Sequence, residues 1–218
     1  MISFIIIIII IFLLFYNRTD TTPVDHDYMQ WNVVSTYKDK EEAAKLMHEC
    51  NETLLILLKH LKDKYKIDKT ADYIDKNPDL VKEIKMHETY NIVDYLLNNY
   101  NPERFYENDP QKTDETSYTM NKGDYTYFCI RDKTKLSLLD KQMIIFVMIH
   151  EAAHIGNYSA WGHGSKFWEV FKFLLHEAES NGIYTSKDYK QFPEMYCGLN
   201  VDYNPLYDES VKSIWKIN

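Results

Sequence analysis

The chain has 218 residues, 45% of them hydrophobic and 27% charged, with six glycines and six prolines. That is globular composition: it excludes collagen-like, mucin-like and wholly disordered classes, and the length suits one compact domain with or without an appendage. Lys plus Arg number 25 against 33 Asp plus Glu, a net charge of −8, which argues against a nucleic-acid surface.

Residues 2–16 are apolar except for Ser3. As a helix they would extend about 22 Å at ~1.5 Å per residue, short of a ~30 Å hydrocarbon core but within reach of tilt and local thinning. No Lys or Arg precedes the run and no small-residue cleavage site follows it, so residues 1–17 are expected to form an uncleaved single-pass transmembrane anchor rather than a signal peptide. Arg18, on the C-terminal side, places the main domain in the cytoplasm by the positive-inside tendency. The polar stretch that follows, with Pro23, reads as a linker, so 18–37 is assigned to a linker and lead-in and 38–218 to the main domain.

Apolar residues at helical spacing, Leu46 or Met47, Cys50, Leu54, Leu57 or Leu58, Leu61 and Tyr65, predict an amphipathic helix over 40–65. A second helix is expected over 78–98, opened by Pro78, with Val81, Ile84, His87, Val93 and Leu97 facing inward. His48, His60 and His87 read as surface or packed histidines. Residues 98–113 read as a charged loop. Aromatic and β-branched residues on both sides of Asn121-Lys122-Gly123 predict a hairpin over 117–131, its second strand, 125–131, an exposed edge. Ser137 with Asp140 outlines a capping box, followed by a helix that is continuously apolar over 143–149, hence buried on nearly every side, and stopped near Gly156. Ser165 is a credible N-cap for a last amphipathic helix. Cys50, Cys129 and Cys197 are odd in number, far apart and without a CxxC, so they read as buried or idle thiols and not as a disulfide framework or a zinc ribbon.

His150-Glu151-Ala152-Ala153-His154 closes the buried helix. Histidines four apart share one helical face, so both imidazoles can reach one Zn²⁺, while Glu151 is offset round the helix as a general base toward water polarised by the metal. A catalytic zinc needs a third protein ligand. His163, between Gly162 and Gly164, can turn back toward the helix; His176, Glu169 and Glu177 are the alternatives. Tyr158, Tyr196 and Arg131 are candidates for stabilising an oxyanion.

The pattern His150-Glu-Ala-Ala-His154 … His163-Gly-Ser-Lys-Phe167-Trp168 resembles the signature of WLM-type and SprT-type zinc metallopeptidases, and Asn121-Lys-Gly123 with Phe128-Cys-Ile-Arg131 is similar to the family's upstream turn and strand. The resemblance covers about residues 117–182. It implies an α+β, minimal zincin-like (gluzincin-like) core, zinc on His150, His154 and His163, Glu151 as base, and a protein or peptide substrate. The gap from His154 to His163, residues 155–162, is longer than that family's, and the insertion within it, Asn157 to Trp161, would form part of a cleft or lid. Together these readings predict a membrane-anchored zinc metalloendopeptidase with a small antiparallel sheet behind a transmembrane helix. The alternatives are a zinc-stabilised scaffold for a protein partner and a DNA–protein crosslink protease; the acidic balance disfavours the latter, and nucleic acid is not an expected partner. A short N-terminal span ahead of such a core also resembles proteins encoded by large DNA viruses.

Overall fold

The computed structural model describes residues 20–67, 76–79, 82 and 87–215. Among the described residues, four named α-helices pack with a five-stranded mixed sheet, and a separate two-stranded hairpin lies near the C-terminus. The strands of the main sheet are β1 (Thr21–His26), β2 (Met29–Val34), β3 (Phe105–Glu107), β4 (Tyr118–Met120) and β5 (Tyr125–Phe128), in the order β1-β2-β3-β5-β4. β2–β3 and β3–β5 pair in parallel; the two outer pairs are antiparallel. The expected purely antiparallel sheet is therefore a mixed one.

The expected transmembrane helix is corrected here. No helix among the described residues is long and apolar enough to cross a membrane, and residues 1–17, to which the anchor was assigned, lie outside them. The described residues form an α+β fold. The expected linker is also replaced: most of 18–37 forms the β1–β2 hairpin, turned at Asp27, whose backbone is left-handed (φ 51°). Its alternating pattern puts Trp31 and Val33 wholly inside, against Ala43, Ala44 and Met47 of α1 (Lys40–Lys64). Val24, Met29, Trp31, Val33 and Val34, spread among polar residues and Pro23, were too weak a signal for a hairpin.

α1 matches its expected span almost to the residue. Of the expected second helix, the part from Glu88 to Asn99 forms α2; most of 68–86 lies outside the described residues. His87 is the N-cap residue of α2 and not a member of its apolar face. The loop expected over 98–113 contains β3, the strand that joins the two halves of the sheet. β3 was missed because Glu107, a charged residue, is wholly buried in it.

α3 (Lys141–Gly156) packs against α1, α2 and α4 (Ser165–Ser180), which is why it is apolar on all sides. Asp140, not Ser137, caps it by accepting from the Gln142 amide (2.8 Å). Gly156 is its last helical residue and not a left-handed stop; a Cβ there would sit 3.3 Å from Ile92 Cγ2, so the glycine permits close approach of α2. Ser165 likewise is the first residue of α4, after Gly164. Beyond α4, β6 (Glu194–Tyr196) and β7 (Leu199–Val201) form the C-terminal hairpin. The expectation of unpaired thiols fails at its turn: Cys197 forms a disulfide with Cys129 at the end of β5, with Cα atoms 6.3 Å apart and 68 positions between them in sequence. Only the return of the hairpin onto the sheet brings the two together. Cys50 is buried and free.

Candidate metal centre

α3 presents His150 and His154 one turn apart on its outer face, and the loop after it returns His163 to them. The Nε2 atom of His163 lies 3.0 Å from that of His154 and 3.1 Å from that of His150. Three imidazoles bound tetrahedrally at ~2.0–2.1 Å would hold their nitrogens about 3.3 Å apart, so this donor set fits a zinc-sized ion with a shift of a few tenths of an ångström. Among the described residues it is the one group of three or more His, Cys, Asp or Glu side chains placed to hold a metal. The three imidazoles surround Phe167, wholly buried at the start of α4, with ring centroids 4.3 to 4.8 Å away, and Trp168 stacks on His163. The aromatic pair thus fixes the planes of the rings that converge. Burial holds His150 well below the usual histidine range, and burial together with the charges of His163 and Lys122 brings His154 down to about 4. Desolvation lowers His163 too. All three are neutral at neutral pH, the form that coordinates metals.

The alternative third ligands lie elsewhere. Glu177 is buried between α4 and α1, accepting from Lys64 (2.6 Å) and facing His60 Nε2 at 3.0 Å, so it is an interhelical partner and not part of a solvated face. His176 stacks on Trp215 at 4.0 Å. Glu169 pairs with Lys166 (3.4 Å).

Glu151 is buried beside the histidines, and its Oε2 accepts from the Thr119 hydroxyl at 2.7 Å. Burial pushes this carboxyl up to about 8, against the lowering effect of that hydrogen bond. With Oε2 held, Oε1 is the oxygen left to the cleft that Glu151 lines. Thr119 belongs to β4, and here the structure reverses an expectation: β4 is the free edge of the sheet, while the second strand, β5, is enclosed between β3 and β4. The edge strand was misassigned because hairpin patterning does not reveal which of its two strands acquires a further partner.

The three oxyanion candidates separate cleanly. Arg131 is buried in an ion-pair knot, donating to Glu107 Oε1 (2.6 Å) and Asp39 Oδ2 (2.7 Å), with its guanidinium over Tyr37. It is a structural residue. Tyr158 is 40% exposed and packs on Tyr95, outside the cleft lining. Tyr196 lines the cleft with Glu151 and His163, its hydroxyl hydrogen-bonded to Ser117 Oγ, and burial raises its phenol well above the ordinary tyrosine value.

Two contributors were not anticipated. Thr119 is one; a hydroxyl on a strand gives no sign of which carboxylate it will meet. Lys122 is the other. It is almost fully buried in the left-handed β4–β5 turn (φ 61°), and its Nζ donates to the carbonyls of Asn157 (2.5 Å) and Ala160, with Trp161 over it. It thereby fastens the insertion between His154 and His163. The turn itself is tight enough that a Cβ on Gly123 (φ 116°) would sit 2.6 Å from the Asn99 carbonyl oxygen.

No family model matches the chain, and no solved structure matches it. The chain is similar to viral proteins. It is 26% identical over 198 residues, 90% of each chain, to "Uncharacterized protein R325" of Acanthamoeba polyphaga mimivirus. It is 39% identical over 83 residues to "Uncharacterized protein 136R" of Invertebrate iridescent virus 6, and 35% identical over 86 residues to "Uncharacterized protein 042R" of Invertebrate iridescent virus 3. These last two matches cover 37% and 39% of this chain and about half of those proteins, 44% and 52%.

Proposed function

We propose that this chain is a zinc-dependent endopeptidase with His150, His154 and His163 as metal ligands and Glu151 as general base, encoded, as its relatives are, by a virus. The observation that carries the reading is the convergence of three neutral imidazoles beside a buried carboxylate at the mouth of a cleft, next to a free strand edge. A zinc ion bound there supplies Lewis-acid polarisation of a scissile carbonyl and of an attacking water. The chain's own groups do the rest. An extended peptide pairs with the open edge of β4, which sets the scissile bond across the cleft. Glu151 takes the water proton at Oε1 while Thr119 holds Oε2, then returns it to the leaving amine. Burial raises the proton affinity of this carboxyl above that of an exposed glutamate, so its ionised form, the one that accepts the proton, is the stronger base. Tyr196 lines the same cleft, which supports its phenol as the donor to the developing oxyanion.

The test is Glu151→Gln. This variant should keep zinc and its fold and lose peptide cleavage by at least ~10²-fold, the scale of general acid–base contributions. A variant that binds zinc and cuts as fast as the parent would overturn the mechanism. A parent that cleaves nothing but binds a protein partner, with that binding kept in Glu151→Gln, would favour a scaffold instead.

A further inference from the structure

We infer that the cleft beside Glu151 is a selectivity pocket for a bulky apolar side chain adjoining the scissile bond; this rests on the peptidase reading above. The cavity has a volume of about 300 Å³, ample for a large side chain, and opens directly onto His150, Glu151 and His163. Phe146 and Val147 of α3 and Phe171 of α4 form its floor, and Trp168, Leu199 and Val201 its sides. The only charges on its lining, apart from the site itself, are carboxylate: Asp202 stands exposed at the rim, and no Lys or Arg lines the space. An apolar side chain gains burial there, whereas an acidic one meets no Lys or Arg on the lining and a like charge at Asp202.

The wall of this pocket is a property of this chain. Leu199, Val201 and Asp202 come from the β6–β7 hairpin, beyond the segment that carries the metallopeptidase resemblance. Cys197 in the hairpin turn is tied to Cys129, and the Tyr196 hydroxyl to Ser117, so the wall is fastened to the sheet at two points and presents a formed surface. A preformed apolar slot next to reacting groups discriminates by what it can desolvate.

The experiment is cleavage-site mapping. The zinc-loaded full chain is incubated with a denatured proteome-derived peptide library, with Glu151→Gln as control, and new termini are read by mass spectrometry. Glu151-dependent cuts should show an enrichment of about tenfold or more for Phe, Leu, Met, Tyr or Trp at one position adjoining the bond, with Asp and Glu depleted there. Val201→Asp should erase that enrichment while zinc content is retained; Leu199→Asp, at a position 56% exposed in the parent, provides a second variant with little folding risk. Glu151-dependent cuts with no apolar preference, or a preference that survives both variants, would overturn the pocket and leave the peptidase reading standing. No Glu151-dependent cuts at all would overturn the peptidase reading and the pocket with it.

Discussion

Reducing the Cys129–Cys197 disulfide should destabilise the protein by several kcal/mol and loosen the wall of the cleft. The bond closes a chain segment with a sequence separation of 68 that contains α3, α4 and all three histidines. In the chain-entropy treatment, cross-linking a loop of that length removes about 15 cal/mol/K from the unfolded ensemble, or about 4 kcal/mol at 25 °C. For a domain of this size that corresponds to a fall in Tm of roughly 10–15 °C. The assay is thermal unfolding followed by far-UV circular dichroism, with and without a phosphine reductant, and with the Cys129→Ser/Cys197→Ser double variant as a reductant-free control. Thiol titration of the unfolded protein checks the state of the bond: one free thiol, Cys50, before reduction and three after. A full set of three thiols in the reduced protein with a Tm within ~2 °C of the oxidised one would refute the reasoning. So would a double variant as stable as the parent.

Three further outcomes follow from the packing. Lys122→Met keeps the aliphatic stem but removes the ammonium that donates to Asn157 and Ala160, so the loop bearing His163 loses its fastening; zinc affinity in a chelator competition should fall about 10–100-fold, and unchanged affinity would show that other contacts set that loop. Arg131→Met leaves Glu107 as an unpaired carboxylate in the interior and should cost about 3–5 kcal/mol in urea unfolding, whereas adding Glu107→Gln should restore part of it; equal losses in the single and double variants would contradict the ion-pair account. Burial pushes the phenols of Tyr65 and Tyr189 up to about 12 and those of Tyr100 and Tyr184 higher still. Each is raised in the folded state above an unfolded value near 10, so the stability it confers is intact below pH 10 and lost as pH rises from there toward the folded value; a urea midpoint that stays level from pH 9 to 11.5 would be inconsistent with this.

The helices were legible because their signals are periodic and local. Leu54, Leu57 and Leu61 mark the inner face of α1, and the unbroken apolar run before His150 announces that α3 is enclosed on all sides. The convergence of the three histidines was legible for the same reason: a four-residue spacing fixes His150 and His154 on one face, and the glycines around His163 allow its return. What escaped depends on partners distant in sequence. β3 carries Glu107, buried only because Arg131 and the Val34 amide meet it there. Cys129 and Cys197 pair only because β6–β7 folds back, and Trp31 is a core residue only because α1 covers it. Arg131 was one of the oxyanion candidates, and nothing local announced the two carboxylates that hold it in the interior.

The most direct test of the central claim is the zinc content of the purified full chain by elemental analysis, with His163→Ala measured alongside. The account predicts about one zinc ion per chain in the parent and little or none retained by the variant after dialysis, since both the α3 histidines and the returning loop are needed to complete the set. A folded parent that carries no zinc and takes up none on addition, or a variant that holds it as tightly as the parent, would contradict the three-histidine centre on which the proposed chemistry depends.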